Sequence, residues 1–266
     1  MNADLLAREV HGRQCSDPDL VAYALAYGVG FPALYAELMQ WFGPETANSR
    51  LSLIFDARPE EGNAQYGPFL VRLARGKEQP SRLLARLVEC CFEDFRAISF
   101  LFSSLELDQL MQAFRERLDV VCEDRSEWQV KFFDTRSLGV LYGVLESDQK
   151  KAFFGVADEW WYLNRSSDLQ RIRCERNPAD HYRGPLRLTE QQAKAIIDAS
   201  LPDSVLHSLS RTDDDLIAQF DSRTRYEICA QSVARASDAE KNSTVLLADR
   251  VRMSLIEALN EIARGE

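Results

Sequence analysis

The sequence predicts an α/β N-terminal lobe, a mixed sheet flanked by helices, over residues 1–184, and a smaller all-α C-terminal lobe over residues 185–266. Three observations carry this. Apolar runs of strand length, such as LVAYALAY (Leu20–Tyr27) and AISFLFS (Ala97–Ser103), alternate with segments of helical period. Turn formers cluster in NPADHYRGP (Asn177–Pro185), and there the pattern changes. Beyond that cluster every periodic stretch is helical.

Taken in order, Leu20–Tyr27 is apolar enough for a central strand. Leu34, Leu38 and Trp41 then recur at helical spacing, and LSLIF (Leu51–Phe55) is a second strand ending at Asp56. PFLVRL (Pro68–Leu73) is a short strand. Ser81 caps a helix with Leu83, Leu84, Leu87, Val88 and Cys91 along one side. After the strand AISFLFS, the stripe Leu107, Leu110, Met111, Phe114 and Leu118 marks another helix, its Met and Phe residues being core packing.

The segment Trp128–Tyr162 holds three of the four tryptophans, so it is a natural centre for a core or a ligand box. Trp128, Val130 and Phe132 alternate with Gln129, Lys131 and Phe133 as in a strand. Asp134 and Thr135 stand at a helix N-cap, followed by Leu138, Leu141, Tyr142 and Leu145. Ser147 caps a second short helix closed by Gly155, and Glu159–Leu163 is extended again, with a further strand at Leu169–Glu175. The reading predicts Phe132 and at least one of Phe153 and Phe154 buried, with Asp134 bonded to amides at the next helix start. Trp160 and Trp161 point to opposite faces, so one is expected to leave the sheet's core side as a partner anchor, burial under the C-terminal lobe being the other outcome.

In the helical lobe, Thr189 and Gln192 form a capping box and Leu188 staples against Ala193. Pro202 is expected to stop that helix. Asp213–Phe220 and Tyr226–Arg235 follow, then a second capping box at Ser237 and Glu240. Val245, Val251, Leu255, Leu259 and Ile262 form the last stripe.

The formal net charge of −10 repels phosphate backbones and anionic lipid, and the mild arginine excess between Arg165 and Arg187 is a solvated face. Neither nucleic acid nor membrane is an expected partner. Charges interrupt MNADLLAREVHGRQ where a signal peptide needs an apolar core, and the uncharged run Leu20–Ala36 is broken by Gly28, Gly30 and Pro32, so the expected location is cytoplasmic. Six cysteines without a CxxC pair read as buried thiols, and His11, His181 and His207 lack metal-ligand spacing, so no metal is expected.

Gly28-Val29-Gly30-Phe31-Pro32-Ala33 matches G-x-G-x-x-[GA] between a strand and a helix, with Asp56 ending the next strand. That pattern admits a dinucleotide-binding enzyme. The plainer reading is a turn with Pro32 at helix position N1. Phe55-Asp56-Ala57-Arg58, Phe133-Asp134-Thr135-Arg136 and Phe220-Asp221-Ser222-Arg223 share FDxR, which reads as a local cap and ion pair. No GxSxG, P-loop, kinase or HExxH pattern occurs, so neither a catalytic residue nor a cofactor is assigned.

Four stretches run in one order: QYGPFLVRL, FFDTR, AFFG with the Trp160–Trp161 pair, and LTEQQ. This order resembles the G-P-Y-L-V, F-[FY]-D-P-R, FFG and W pattern of the type VI secretion adaptor chaperones, the Tap- or TEC-like proteins catalogued as DUF4123. Thr135 stands where that family usually has Pro. The resemblance implies a non-catalytic cytoplasmic adaptor that binds the N-terminal region of a type VI effector and helps load it onto the VgrG spike. It marks Phe132, Phe133, Asp134, Arg136, Phe153, Phe154, Trp160 and Trp161 as family-motif residues, structural or partner-binding. An immunity or regulatory binding protein is the remaining alternative.

Overall fold

Val21–Tyr27 (β1) is buried on both of its faces, and that property dictates its surroundings. Such a strand needs a neighbour at each edge and a layer over each face. In the computed structural model, described over residues 1–55, 66–74, 80–175 and 182–264, β1 lies between Pro68–Arg72 (β3) and Ile98–Ser103 (β4). Leu51–Leu53 (β2), Glu159–Leu163 (β7) and Leu169–Arg173 (β8) complete a six-stranded sheet of order β2-β3-β1-β4-β7-β8, antiparallel at every pairing. Mixed pairing occurs in a second, three-stranded sheet. There Asp119–Cys122 (β5) pairs antiparallel with Glu127–Gln129 (β6) and parallel with Leu186–Leu188 (β9).

Strand alternation sorts the side chains of the large sheet into two cores. On one face Ala22, Ala24 and Ala26 of β1, Phe100 and Phe102 of β4, and Trp161 and Leu163 of β7 share an apolar cluster with helices Ala3–Ser16 (α1), Leu34–Ala47 (α2) and Arg82–Glu93 (α3). The three alanines leave room for Leu6, Val10, Leu38 and Leu87 in that cluster. The other face carries Tyr23, Leu25, Tyr27, Leu101 and Trp160 beneath Leu107–Glu116 (α4), Thr135–Val144 (α5) and Ser147–Phe154 (α6). Its core is aromatic: the Phe114 and Phe154 rings lie 5.4 and 5.7 Å from that of Trp160. At Gly139 of α5 an added Cβ would come within 2.5 Å of the Tyr162 hydroxyl, so the helix lies close upon β7.

Several expectations shift. Strand β6 ends at Gln129, and Phe132 and Phe133 are both buried, since the chain bends into the helix start instead of continuing as a strand. Helix α1, unread in the sequence, buries only Leu6, Ala7, Val10 and Gln14, a stripe too narrow to signal itself. Strands β5 and β9 were likewise unread, β9 falling beyond the expected start of the all-helical region. Asp56 and the rest of the FDAR copy after Phe55, and residues 177–181 of the turn cluster, lie outside the described residues.

The chain divides into two compact units, Met1–Ala193 and Lys194–Glu266, the division falling inside helix Glu190–Thr212 (α7). Thr189 and Gln192 form the expected box: the Gln192 amide donates to Thr189 Oγ1 at 3.2 Å, and Thr189 N–H donates to Gln192 Oε1 at 3.0 Å. Pro202 does not stop α7. It is buried on the same side as Val205 and Leu209, so apolar burial offsets the lost amide bond. The second unit closes around Val205, Leu209, Cys229, Val233, Leu247, Val251 and Leu255, contributed by α7, Ser222–Ala234 (α9) and Thr244–Arg264 (α11). Between them lie the short helices Asp214–Ile217 (α8) and Asp238–Lys241 (α10), the latter opened by the Ser237–Glu240 box. Val245 and Ile262 are 69% and 63% exposed, so Leu247 and Ala248 carry the inner stripe of α11 in their place.

Phe132→Ala is expected to cost about 3–5 kcal/mol in urea denaturation, as for other fully buried rings, whereas exposed Val245→Ala stays within about 0.5 kcal/mol.

Candidate functional site

The FFDTR turn, the GVGFPA turn and the α3–β4 loop meet at one end of the large sheet, where β1 ends and β4 begins. Asp134 caps α5: its Oδ1 accepts the Arg136 amide at 3.0 Å, and its carboxylate also accepts from the Arg136 guanidinium, Nε to Oδ1 at 3.0 Å. One loop away, Asp94 and Arg96 repeat the geometry. Asp94 Oδ1 accepts the Arg96 amide at 3.0 Å and Arg96 Nε at 2.7 Å. Each unit is a D-x-R clasp in which one carboxylate satisfies an orphan amide and a guanidinium together. Asp221, of the third FDxR copy, caps α9 in the same way by accepting the amides of Arg223 and Thr224.

Thr135 joins the two clasps. Its amide donates to Arg96 O at 3.2 Å and its hydroxyl to Phe95 O at 2.9 Å. A proline in that place would supply neither donor. Burial opposes ionisation of Asp94, yet the hydrogen bonds from the Arg96 side chain and amide outweigh it and hold the carboxyl below the usual range. Burial, followed by the Asp134 carboxylate, pushes the neighbouring Tyr27 hydroxyl up.

The GVGFPA turn has a packing explanation. A Cβ on Gly30 would come within 2.6 Å of Ala97 Cβ and 3.3 Å of Asp94 Oδ2. The space that a dinucleotide fingerprint keeps for pyrophosphate is filled here by the protein. Strand β1 also has antiparallel neighbours on both sides, without the parallel crossover that such a site uses. Pro32 is not at N1 either. Helix α2 begins at Leu34, whose amide donates to Phe31 O at 3.0 Å, which places Pro32 second in a turn, a position it favours.

The remaining motif residues are interior. Phe132, Phe133, Phe153, Phe154, Trp160 and Trp161 are each at most 3% exposed, and Arg136 is half-buried beside Asp134. Trp160 Nε1 donates to Ser99 Oγ at 2.9 Å. Trp161 Nε1 donates to Glu159 Oε2 at 2.7 Å under the Arg171 guanidinium, 4.5 Å from the ring centroid. The expectation that one tryptophan leaves the core therefore fails. Both faces of the sheet are covered within the first unit, so neither ring needs the C-terminal region to bury it.

Arg117 is a residue the sequence did not single out. Fully buried, it donates to Ala152 O and Phe153 O at 2.9 and 2.8 Å and lies 4.2 Å from the Tyr182 ring centroid. A guanidinium there satisfies the terminal carbonyls of α6 and opposes the negative end of its dipole. The only advance signal is its position beside Phe114 and Leu118 in the stripe of α4.

At the opposite end of the sheet an open cleft of about 600 Å³ is lined by Gln14, Asp19, Arg50, Arg72, Ser104 and Glu106 among others. Arg72 pairs with Glu106 at 2.7 Å, and Gln14 donates to Leu73 O at 3.3 Å. Among the described residues no group of three or more His, Cys, Asp or Glu side chains is placed to hold a metal ion, and no helix is long and apolar enough to cross a membrane. Cys90, Cys91, Cys122 and Cys229 are buried and Cys174 half-buried, with burial pushing Cys174 up to about 12. Cys15 departs from the buried-thiol expectation: it is exposed on α1, one turn from His11.

Two measurements check the clasp. Gly30→Ala is expected to lose about 1–3 kcal/mol by overpacking, and Ala97→Gly in the same chain to recover part of it. Because the folded Asp94 pKa is depressed, its stabilisation is complete above the unfolded value near 3.8 and is lost as pH falls through the folded one. The stability gap between wild type and Asp94→Asn should therefore be open at pH 7 and shrink below pH 4 in urea titrations.

No curated protein and no solved structure matches the chain. Residues 22–152 match a family model described as "Domain of unknown function (DUF4123)", a span that runs from β1 to Ala152 within α6 and includes both D-x-R clasps. The segment from β1 into α6 thus matches the DUF4123 domain family.

Proposed function

We propose that this protein is a non-catalytic cytoplasmic adaptor that binds a type VI secretion effector and helps load it onto the VgrG spike. The observation that carries this reading is the ordered set of motifs, of which GPFLV and FFDTR fall inside the matched domain and AFFG straddles its end. The roles found for those motifs are compatible with it. They form caps and core, which leaves recognition to the surface.

Surface of the required kind exists on the second unit. Val245, Leu246, Met253 and Ile256 of α11 are 37–69% exposed and fall on one side of the helix by their spacing. Exposed apolar side chains in that arrangement are what a partner helix or peptide would cover.

Co-expression of the tagged chain with a VgrG spike protein and a type VI effector from the same genome tests the reading. Both partners are expected to co-purify, and the effector yield to fall when the chain is omitted. If neither partner is retained the adaptor reading fails, and neutralisation of the effector's toxicity by the chain alone would favour an immunity protein instead.

A further inference from the structure

The exposed backbone of a sheet edge is a template for another strand, and proteins close such edges unless they are used. At two edges here side chains take up strand carbonyls. On β2, Arg115 donates to the carbonyls of Leu53 and Ile54 at 2.9 and 3.0 Å. On β9, Gln149 Nε2 donates to Arg187 O at 2.7 Å.

The β8 edge differs. Asn164 N–H donates to Asp168 O and Cys174 N–H to Asp158 O, so the register bonds the even-numbered residues of β8 to β7. The N–H and C=O groups of Leu169, Arg171 and Arg173 therefore point away from the sheet, and among the described residues they meet no hydrogen-bond partner. The strand is held in place nonetheless. Ile172 is buried on one face, while on the other Leu169 packs against the apolar cluster and Arg171 pairs with Glu9 at 2.7 Å.

Charge decides what fits. Arg171 and Arg173 project to one face two residues apart, and Arg173 is exposed with no carboxylate within ion-pair distance among the described residues. A second copy paired edge to edge around Arg171 would bring like charges opposite one another, which is destabilising. A strand with Asp or Glu at alternate positions would bring opposite charges together on that face.

We propose that the β8 edge is a strand-addition site for an extended partner segment bearing acidic side chains at alternate positions. The partner's identity as effector or spike rests on the adaptor reading; the edge chemistry does not, and it can be tested with synthetic peptides. Hydrogen exchange of the full chain would be followed with and without acetyl-(Glu-Val)4-amide, with the Lys-Val peptide as control. The acidic peptide is expected to slow exchange at Leu169, Arg171 and Arg173 and to outcompete the basic one. Arg173→Glu, at an exposed position, should weaken its binding about threefold or more. No protection, equal protection by both peptides, or protection that rises with chain concentration alone would overturn the proposal. A failed co-purification with intact peptide protection would instead count against the adaptor reading alone.

Discussion

Burial of the large sheet on both faces is the constraint from which the rest follows. An antiparallel strand ordinarily needs only one apolar face. Here β1, β4 and β7 each present two, so helices must cover both sides. Trp160 and Trp161 express the requirement at adjacent positions. One enters the aromatic cluster under α4 and α6, and the other enters the apolar cluster under α1 and α3. The indole N–H of each finds an acceptor, which removes the penalty for burying it.

The D-x-R clasps solve the problem that this layering creates at the sheet's end. A chain leaving one layer for the next must turn where amides would be buried without partners. Asp94 and Asp134 supply acceptors there, and Thr135 ties the two turns together. The buried Arg117 does the converse at the end of α6, supplying donors to carbonyls. The buried Asp134, Thr135 and Arg117 are thus accounted for by backbone groups that need them.

Legibility in the sequence followed the range of the interactions. Several helix starts fixed by residues three apart are readable, since Ser81, Thr189 with Gln192, and Ser237 with Glu240 all cap as their spacing indicates, but α6 is capped by Glu146 boxed with Gln149 and not by the expected Ser147. Asp134 caps α5 as expected, through the amide two residues on, whereas α9 starts at Ser222, four residues before the expected Tyr226. Strands β5 and β9 were not, since three or four residues carry little period and their pairing joins positions more than sixty residues apart. Pro202 misled because a proline rule is local, whereas the burial that retains it is tertiary. The tryptophan pair misled for a related reason: alternation gives the two faces, but only the helices of the opposite layer reveal that both are covered. The repetition of the clasp at Asp94–Arg96 was visible as D-x-R and went unread because it lacks the preceding Phe.

On this account the motif residues specify the fold. The most direct measurement is acrylamide quenching of the chain with Trp41 and Trp128 replaced by Phe, so that only Trp160 and Trp161 emit. Blue-shifted emission with quenching far below that of free N-acetyltryptophanamide, unchanged by a bound partner, is the predicted result. Quenching like that of a solvent-exposed indole, or protection that appears only on partner binding, would contradict it.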